Sequence, residues 1–401
     1  MTKPNRHIIW LVSVSFVLFQ FFLQLSSGVV IGEIMTENHL TALTAGLLSG
    51  AFYIVYTLLQ LPVGILFDRT NSRVLLTLSS LTCCMGCFMF AASHSITGLF
   101  LGRLFIGAGS AFAFVGLSHS LRQNYPLRQF GFMIGLSETL GFIATVFGMI
   151  ALGAVVESWG WRYFINGAGI TGLLIALSCW IFIPNRPKAS TLMHANSSHL
   201  LRILTHRQLW INGWFVGLSF IVVTAFGALW AVPFIQVKCQ CNILQASLIT
   251  SLFFLGTAVS CPLFGILSQK LSKRKPLMFS SCLTTASLLL ILIYIPTQSL
   301  AVNSVLMFLV GLCCGAYMLA YTISNELAPP GSSSTCTGFT NTLAVVTTPL
   351  IQPLIGFLLD VAHQPGDYSL SDYQSALLII PFCLVLAGVL VCFLPEKPCD
   401  A

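Results

Sequence analysis

Glu138, Arg103 and Asp68 stand out because each puts a charge where the surrounding sequence offers almost none. Of the 401 residues only 7% are charged and 56% are hydrophobic, whereas average soluble domains carry about 25% charged residues. Glu138 lies in "GLSETL" and Arg103 in "GRLFIGAGSA", both inside long apolar runs. An ionisable side chain inside such a run is costly and reads as functional by default. A carboxyl there can take up and release a proton, so Glu138 is a candidate for proton coupling; the alternative is a neutral carboxyl bonded to a neighbouring helix. The guanidinium of Arg103 can hold the negative group of a solute, bias Glu138 towards release, or snorkel along its stem to the headgroups. Their depths differ by roughly two helical turns, so direct contact is not expected. Asp68, Arg69 and Arg73 follow Gly64 in "PVGILFDRTNSR". A glycine there lets the helix end approach a neighbour, and the charges can form breakable interhelical ion pairs. The plainer reading is a positive anchor at the membrane edge.

These residues must be held by membrane helices. Apolar runs of the length that crosses a ~30 Å hydrocarbon core fall at 8–34, 41–67, 74–93, 97–121, 130–156, 162–183, 209–236, 244–269, 276–296, 299–326, 335–360 and 373–394. The reading is an all-α polytopic membrane protein of twelve transmembrane helices, its partner the lipid bilayer. The first run exceeds an ordinary signal core and is expected to be a permanent helix. With the N-terminus inside, 15 of the 18 Lys and Arg residues fall on the cytoplasmic side, which predicts cytoplasmic termini; the membrane is expected to be a bacterial inner membrane. The formal charge of +7 is then topological, and no nucleic-acid partner is expected. Of the fourteen cysteines most lie within spans and behave as small apolar residues. The "CQC" at Cys239 to Cys241 is too little for a metal site. No Gly-rich nucleotide loop with Lys-Ser/Thr is present, so neither ATP-driven movement nor an enzyme is expected, and no cofactor.

"PVGILFDRTNSR" at Pro62 and "PLFGILSQKLSKR" at Pro262 say nearly the same thing twice, with Gly64 and Gly265 separated by 201 positions. At an offset of 203, Glu138 falls on Asn341 and Gly153 on Gly356; at 204, Gly107 falls on Gly311. The chain reads as a six-helix unit duplicated in parallel: 1–183, a polar linker 184–208, and 209–401. Parallel repeats mark transporters whose solute site lies between two bundles near the midplane. Because Gln269 stands where the first copy has Asp68, the halves are expected to latch unequally.

Over essentially its whole length the chain resembles the major facilitator superfamily (MFS). Its signature loop between helices two and three matches Gly64, Asp68, Arg69 and Arg73, with Asn71 replacing the usual glycine, a substitution that left-handed backbone at Asn would tolerate. Arg103 with Gly107 and Gly109 resembles its helix-four element, and "GWRYF" (160–164) the Trp-Arg pair that often opens its helix six. The resemblance implies two pseudo-symmetric six-helix bundles, secondary active transport of a small organic solute by alternating access, and a loop that stabilises one access state. It also implies a monomer using protons. The family's drug exporters carry a Gly-Pro pair in helix five, whereas this chain has Gly148-Met149; proton-coupled uptake or metabolite exchange is therefore preferred to efflux of drugs or siderophore-like compounds. A non-transporting nutrient receptor on the same fold is the other alternative.

Polar stripes predict the cavity lining. Gln20, Gln24 and Ser27 share one face of helix one, Tyr317, Tyr321 and Asn325 recur every four residues in helix ten, and Asn341, Thr348 and Gln352 share a face of helix eleven. Pro349 and Pro353 are expected to bend that helix. Trp214 and Trp230 in helix seven are open between lining, interface and core.

Overall fold

The computed structural model describes residues 6–25, 27–185, 202–271, 273–328, 333–362 and 368–395. Among them twelve helices are long and apolar enough to cross a membrane. They are α1 (Arg6–Leu25), α2 (Ala42–Arg69), α3 (Ser72–Ala92), α4 (Ile96–Asn124), α5 (Leu127–Trp159) and α6 (Trp161–Phe182) in the first half. In the second half they are α7 (Arg207–Cys239), α8 (Ile243–Leu271), α9 (Lys275–Tyr294), α10 (Leu300–Ser324), α11 (Gly338–Val361) and α12 (Leu370–Val391). The described helical residues of the expected first span are α1 and Ser27–Asn38. Successive helices reverse direction, so both ends of the described chain lie on one face of the bundle, the terminal side; the opposite face is the distal side.

The duplication is visible in the packing. In the first half α2 and α3 pack on α4, α3 on α6, and α1 on α5; in the second, α8 and α9 pack on α10, α9 on α12, and α7 on α11. Each contact is the repeat partner of another. Close approach is needed at equivalent places: a Cβ on Gly107 would stand 2.5 Å from the Phe52 carbonyl oxygen, and one on Gly311 would stand 2.0 Å from that of Phe253. Without a driving force to hide apolar surface from lipid, such small-residue contacts set helix association. Lipid faces the outer surface, where Leu58, Phe147 and Val361 are about 70% exposed.

The two bundles meet along α2 with α11 and α5 with α8, again repeat partners. In their distal halves these helices touch: a Cβ on Gly46 would stand 2.5 Å from the Gln352 carbonyl oxygen, and one on Gly153 would stand 2.9 Å from Ser247. In their terminal-side halves a Cβ on Gly64, Gly135, Gly265 or Gly338 would meet nothing within 4 Å. The seam is tight distally, and on the terminal side these four glycine positions face open space. The close packing expected of Gly64 is therefore not made in this conformation.

Irregular backbone is confined to the second half among the described helices. α7 carries a π-helical stretch at Val222–Trp230 and α10 a 3₁₀ turn at Gly315–Met318. α11 is interrupted at Thr347, between helices Ser333–Val346 and Thr348–Ala362. The cause is Pro349, which has no N–H for the turn before it; at the break the Thr347 hydroxyl donates across to Gly217 O of α7 at 2.9 Å.

Candidate functional site

Glu138 projects from the middle of α5 towards the seam. It is close enough to Tyr56 of α2, Cys261 of α8, and Tyr317 and Tyr321 of α10 to act electrostatically on each. Three of these four groups belong to the opposite bundle. Tyr321 donates to Asn341 Oδ1 at 2.9 Å, and Tyr56 lies close enough to the Asn341 and Gln60 side chains to interact with both. Cys261 Sγ and the Tyr317 hydroxyl are 3.6 Å apart, and the Tyr317 ring lies 4.8 Å from that of Phe220. One turn distal to Glu138, Phe142 stacks across the seam on Phe254 with centroids 6.5 Å apart. One carboxyl, three phenols and an amide thus gather at the seam, which we call the chamber, with the apolar stack on their distal side.

Arg103 is elsewhere. It is 7% exposed and points into the first bundle, donating to Leu23 O at 3.3 Å and Ser27 Oγ at 2.5 Å, with its guanidinium 5.4 Å from the Phe52 ring centre. Beside it lies a cavity of about 30 Å³ lined only by the first half, including Ser49, Phe90, Leu152 and Ile165. That is room for one or two waters. Arg103 neither snorkels nor faces the seam, and the structure does not bring it to Glu138. The described ion pairs within 4 Å are Arg162 with Glu37 and Arg274 with Glu326, so neither Arg103 nor Glu138 is in one.

Other expected lining residues divide. Gln20 and Gln24 bond each other on α1 and are buried, with Oε1 of Gln20 left without a partner. Gln352 is not on an open wall: it is fully buried in the distal seam, donating to Thr224 O at 2.8 Å, and its carbonyl accepts from Trp230 Nε1 at 3.2 Å. Trp230 is thus core, and Trp214 is 39% exposed. The side chains of Asn325, Asp68, Arg69 and Gln269 lie outside the described residues. Tyr56, Gln60 and Cys261 were not singled out by periodicity, because α2 and α8 are apolar around most of their circumference; a polar residue every fourth position, Tyr56 then Gln60, was the available signal.

The signature loop is bonded within its own bundle. Arg73 donates Nε to Ile183 O at 2.6 Å and lies 5.8 Å from the Trp180 ring. Asn71 has φ −76° and caps α3, accepting from Arg73 N at 3.0 Å; its role is capping, and left-handed backbone is not used. In the second copy Arg274 reaches Glu326 at 2.6 Å instead, so the two loops are anchored differently. Gly109 packs on the Ser79 carbonyl oxygen, 2.4 Å from where its Cβ would stand. At the distal end the Trp161-Arg162 pair grips Glu37: Trp161 Nε1 donates at 3.0 Å and Arg162 forms the ion pair. The Arg162 guanidinium, helped by Trp161 and opposed by burial, holds the Glu37 carboxyl below its usual range.

A duplicated helical membrane protein of twelve spans, with polar side chains of both bundles gathered at their seam, defines the class: a membrane carrier built from two repeats. The chain belongs to the Major Facilitator Superfamily, which matches residues 11–347 and, in a second alignment, 231–400. Members are secondary active transporters of small solutes, and this chain is an integral multi-pass protein of that kind. It is 22% identical over 407 residues to the probable galactarate/D-glucarate transporter GarP of Escherichia coli K12, covering 90% of this chain and 88% of the relative. It is 24% identical over 414 residues to the membrane sensor protein UhpC of the same organism, covering 94% and 92%. Among solved structures, a bacterial homologue of the human lysosomal transporter Spinster, inward-facing and occupied, superposes with a TM-score of 0.78 at 18% identity, covering 98% of this chain and 97% of that one. The D-xylose-proton symporter superposes with a TM-score of 0.75 at 15% identity, covering 97% and 98%.

Proposed function

We propose that the chain couples proton movement to uptake or exchange of a small organic solute, binding both at the chamber around Glu138. The observation that carries this is the placement of Glu138 on one bundle against tyrosines of the other, so that rocking of the bundles changes the surroundings of the carboxyl. Phenols and amides suit a hydroxylated or amphipathic solute, through hydrogen bonds and stacking. The probable galactarate/D-glucarate and L-galactonate transporters among the relatives favour a polyhydroxylated organic acid as the first compound to test. Arg103 is then a packing cation of the first bundle in this conformation, available to a solute only after rearrangement.

The terminal side is the cytoplasmic side of a bacterial inner membrane on the charge asymmetry, which makes this conformation inward-facing. Residues 1–183 and 209–401 act as the two rocking units, with 184–208 linking them and one chain sufficing for a complete pathway. The experiment is uptake of labelled sugar acids by cells with and without the protein at two external pH values. Protein-dependent accumulation that grows with external acidity supports the reading. A sensor role, favoured by the likeness to UhpC, predicts solute binding without accumulation at either pH.

A further inference from the structure

The distal seam is fastened by two acids that occupy the same place in the two repeats. Glu157 and Asp360 are 203 positions apart, the spacing that also relates Glu138 to Asn341. Each stands one turn after a glycine that touches the opposite bundle: Gly153 in "GAVVE", Gly356 in "GFLLD". Each reaches the start of a helix in that bundle. Asp360 takes the first two amides of α2, Ala42 N at 2.9 Å on Oδ1 and Leu43 N at 2.7 Å on Oδ2; Tyr368 donates to the same Oδ1 at 2.6 Å and its hydroxyl also accepts from Ala42 N at 3.1 Å. Glu157 accepts from the Asn242 side chain at 2.9 Å. Asn242 in turn caps α8, accepting from Gln245 N at 2.9 Å, as Thr41 caps α2 by accepting from Thr44 N at 3.1 Å.

We propose that Asp360 and Glu157 form a duplicated distal clasp, each acid holding the N-terminus of a helix in the other bundle, and that its release is required for the distal side to open. This rests on the alternating-access reading above. An anion on orphan amides is favoured by the helix dipole and by charge-assisted bonding, so Asp360 is the stronger arm. Glu157 bonds a neutral side chain at an exposed position, where water competes, and is the weaker arm. When the bundles rock, the first two α2 amides lose the carboxylate and turn to water, so the clasp sets how often the distal side opens.

The test is hydrogen–deuterium exchange by mass spectrometry on the full-length protein in nanodiscs, for Asp360→Asn and Glu157→Gln. Asp360→Asn is expected to speed exchange at the start of α2 about tenfold, the value of roughly one charged hydrogen bond, and Glu157→Gln to speed exchange at the start of α8 only about twofold. Exchange around Gly64, Gly135, Gly265 and Gly338 should slow in both variants, because the terminal side closes as the distal side opens. Ser95→Ala removes a cap inside one bundle, where Ser95 Oγ accepts from Gly98 N at 3.2 Å, and should act only on α4. Faster distal exchange with unchanged terminal-side exchange in both clasp variants would make these bonds ordinary helix caps and overturn the proposal. Glu157 is exposed, so Glu157→Gln remains decisive if Asp360→Asn does not fold. Uptake assays address alternating access separately, so the two ideas can fail independently.

Discussion

Tyr321 donates its hydroxyl to Asn341 Oδ1 at 2.9 Å, while Tyr56 of the other bundle reaches the same amide. One side chain of α11 thus reads the position of both bundles beside Glu138, its repeat partner. Tyr321→Phe should keep the fold, since the ring remains, and lower the initial uptake rate by about threefold to tenfold through loss of one hydrogen bond and an underused amide oxygen. Initial rates over a range of solute concentrations check this; an unchanged rate and KM would remove the Tyr321–Asn341 bond from the transport path.

Two glycines should respond oppositely to the same change. Gly107→Ala drives a methyl against the Phe52 backbone carbonyl, 2.5 Å away, where neither helix can yield cheaply, and should destabilise by ~1–3 kcal/mol. Gly64→Ala enters open space and should leave the melting temperature within about 2 °C. If the terminal side must close during the cycle, Gly64→Ala should nonetheless slow transport. Thermal melts and uptake measured together decide it, and a Gly64→Ala protein with wild-type turnover would show that this helix end never packs tightly.

The distal Glu37–Arg162 pair gives a prediction in pH. Arg162 lowers the Glu37 pKa in the folded protein, so its contribution is complete above the unfolded value of about 4.3. It is lost as pH falls through the lower folded value. With side chains 40% and 23% exposed, the contribution is under ~1 kcal/mol. Glu37→Gln should lower the melting temperature slightly at neutral pH, and the difference from wild type should vanish as the buffer drops well below about pH 4. A difference that persisted in acid would assign the effect to packing around Trp161.

The spans, the duplication and the prominence of Glu138 were legible because apolar length and repeat offset are properties of the chain alone. Gly107 could be paired with Gly311 before any contact was known, and both prove to touch the carbonyl of an equivalent phenylalanine. Facing was not legible. Arg103 and Glu138 are equally rare charges in apolar runs, yet one turns into its own bundle and the other to the seam, because helix rotation is set by which neighbours the small residues admit. Gln352 matched the polar stripe of α11 but lies beyond the break at Thr347, where the helical register no longer carries the stripe into the chamber. Asp360 and Glu157 were hidden for a different reason: acids at helix ends read as ordinary interfacial residues until their partners in the other bundle are seen.

The carboxyl of Glu138 gives the most discriminating prediction. Glu138 has tyrosines of the other bundle on one side and the Phe142–Phe254 stack on its distal side, and under the proposed coupling a proton reaches it from the terminal side in this conformation. Opening the distal seam must part that stack and admit water from the other face, and a carboxyl met by alternate sides is what proton coupling needs. Glu138→Gln keeps the shape and hydrogen bonding of the site but can no longer exchange a proton. It should therefore abolish accumulation driven by a pH gradient while leaving counterflow of preloaded solute at a third or more of the wild-type rate, because counterflow needs the site but no net proton movement. Glu138→Asp should recover partial accumulation, since it restores a titratable group with a shorter reach. The measurement is paired accumulation and counterflow in proteoliposomes with an imposed pH gradient. A Glu138→Gln protein that still accumulated solute with normal pH dependence would place the proton path elsewhere and leave Glu138 as a helix-packing residue, whereas loss of both activities would assign Glu138 to solute binding instead of coupling.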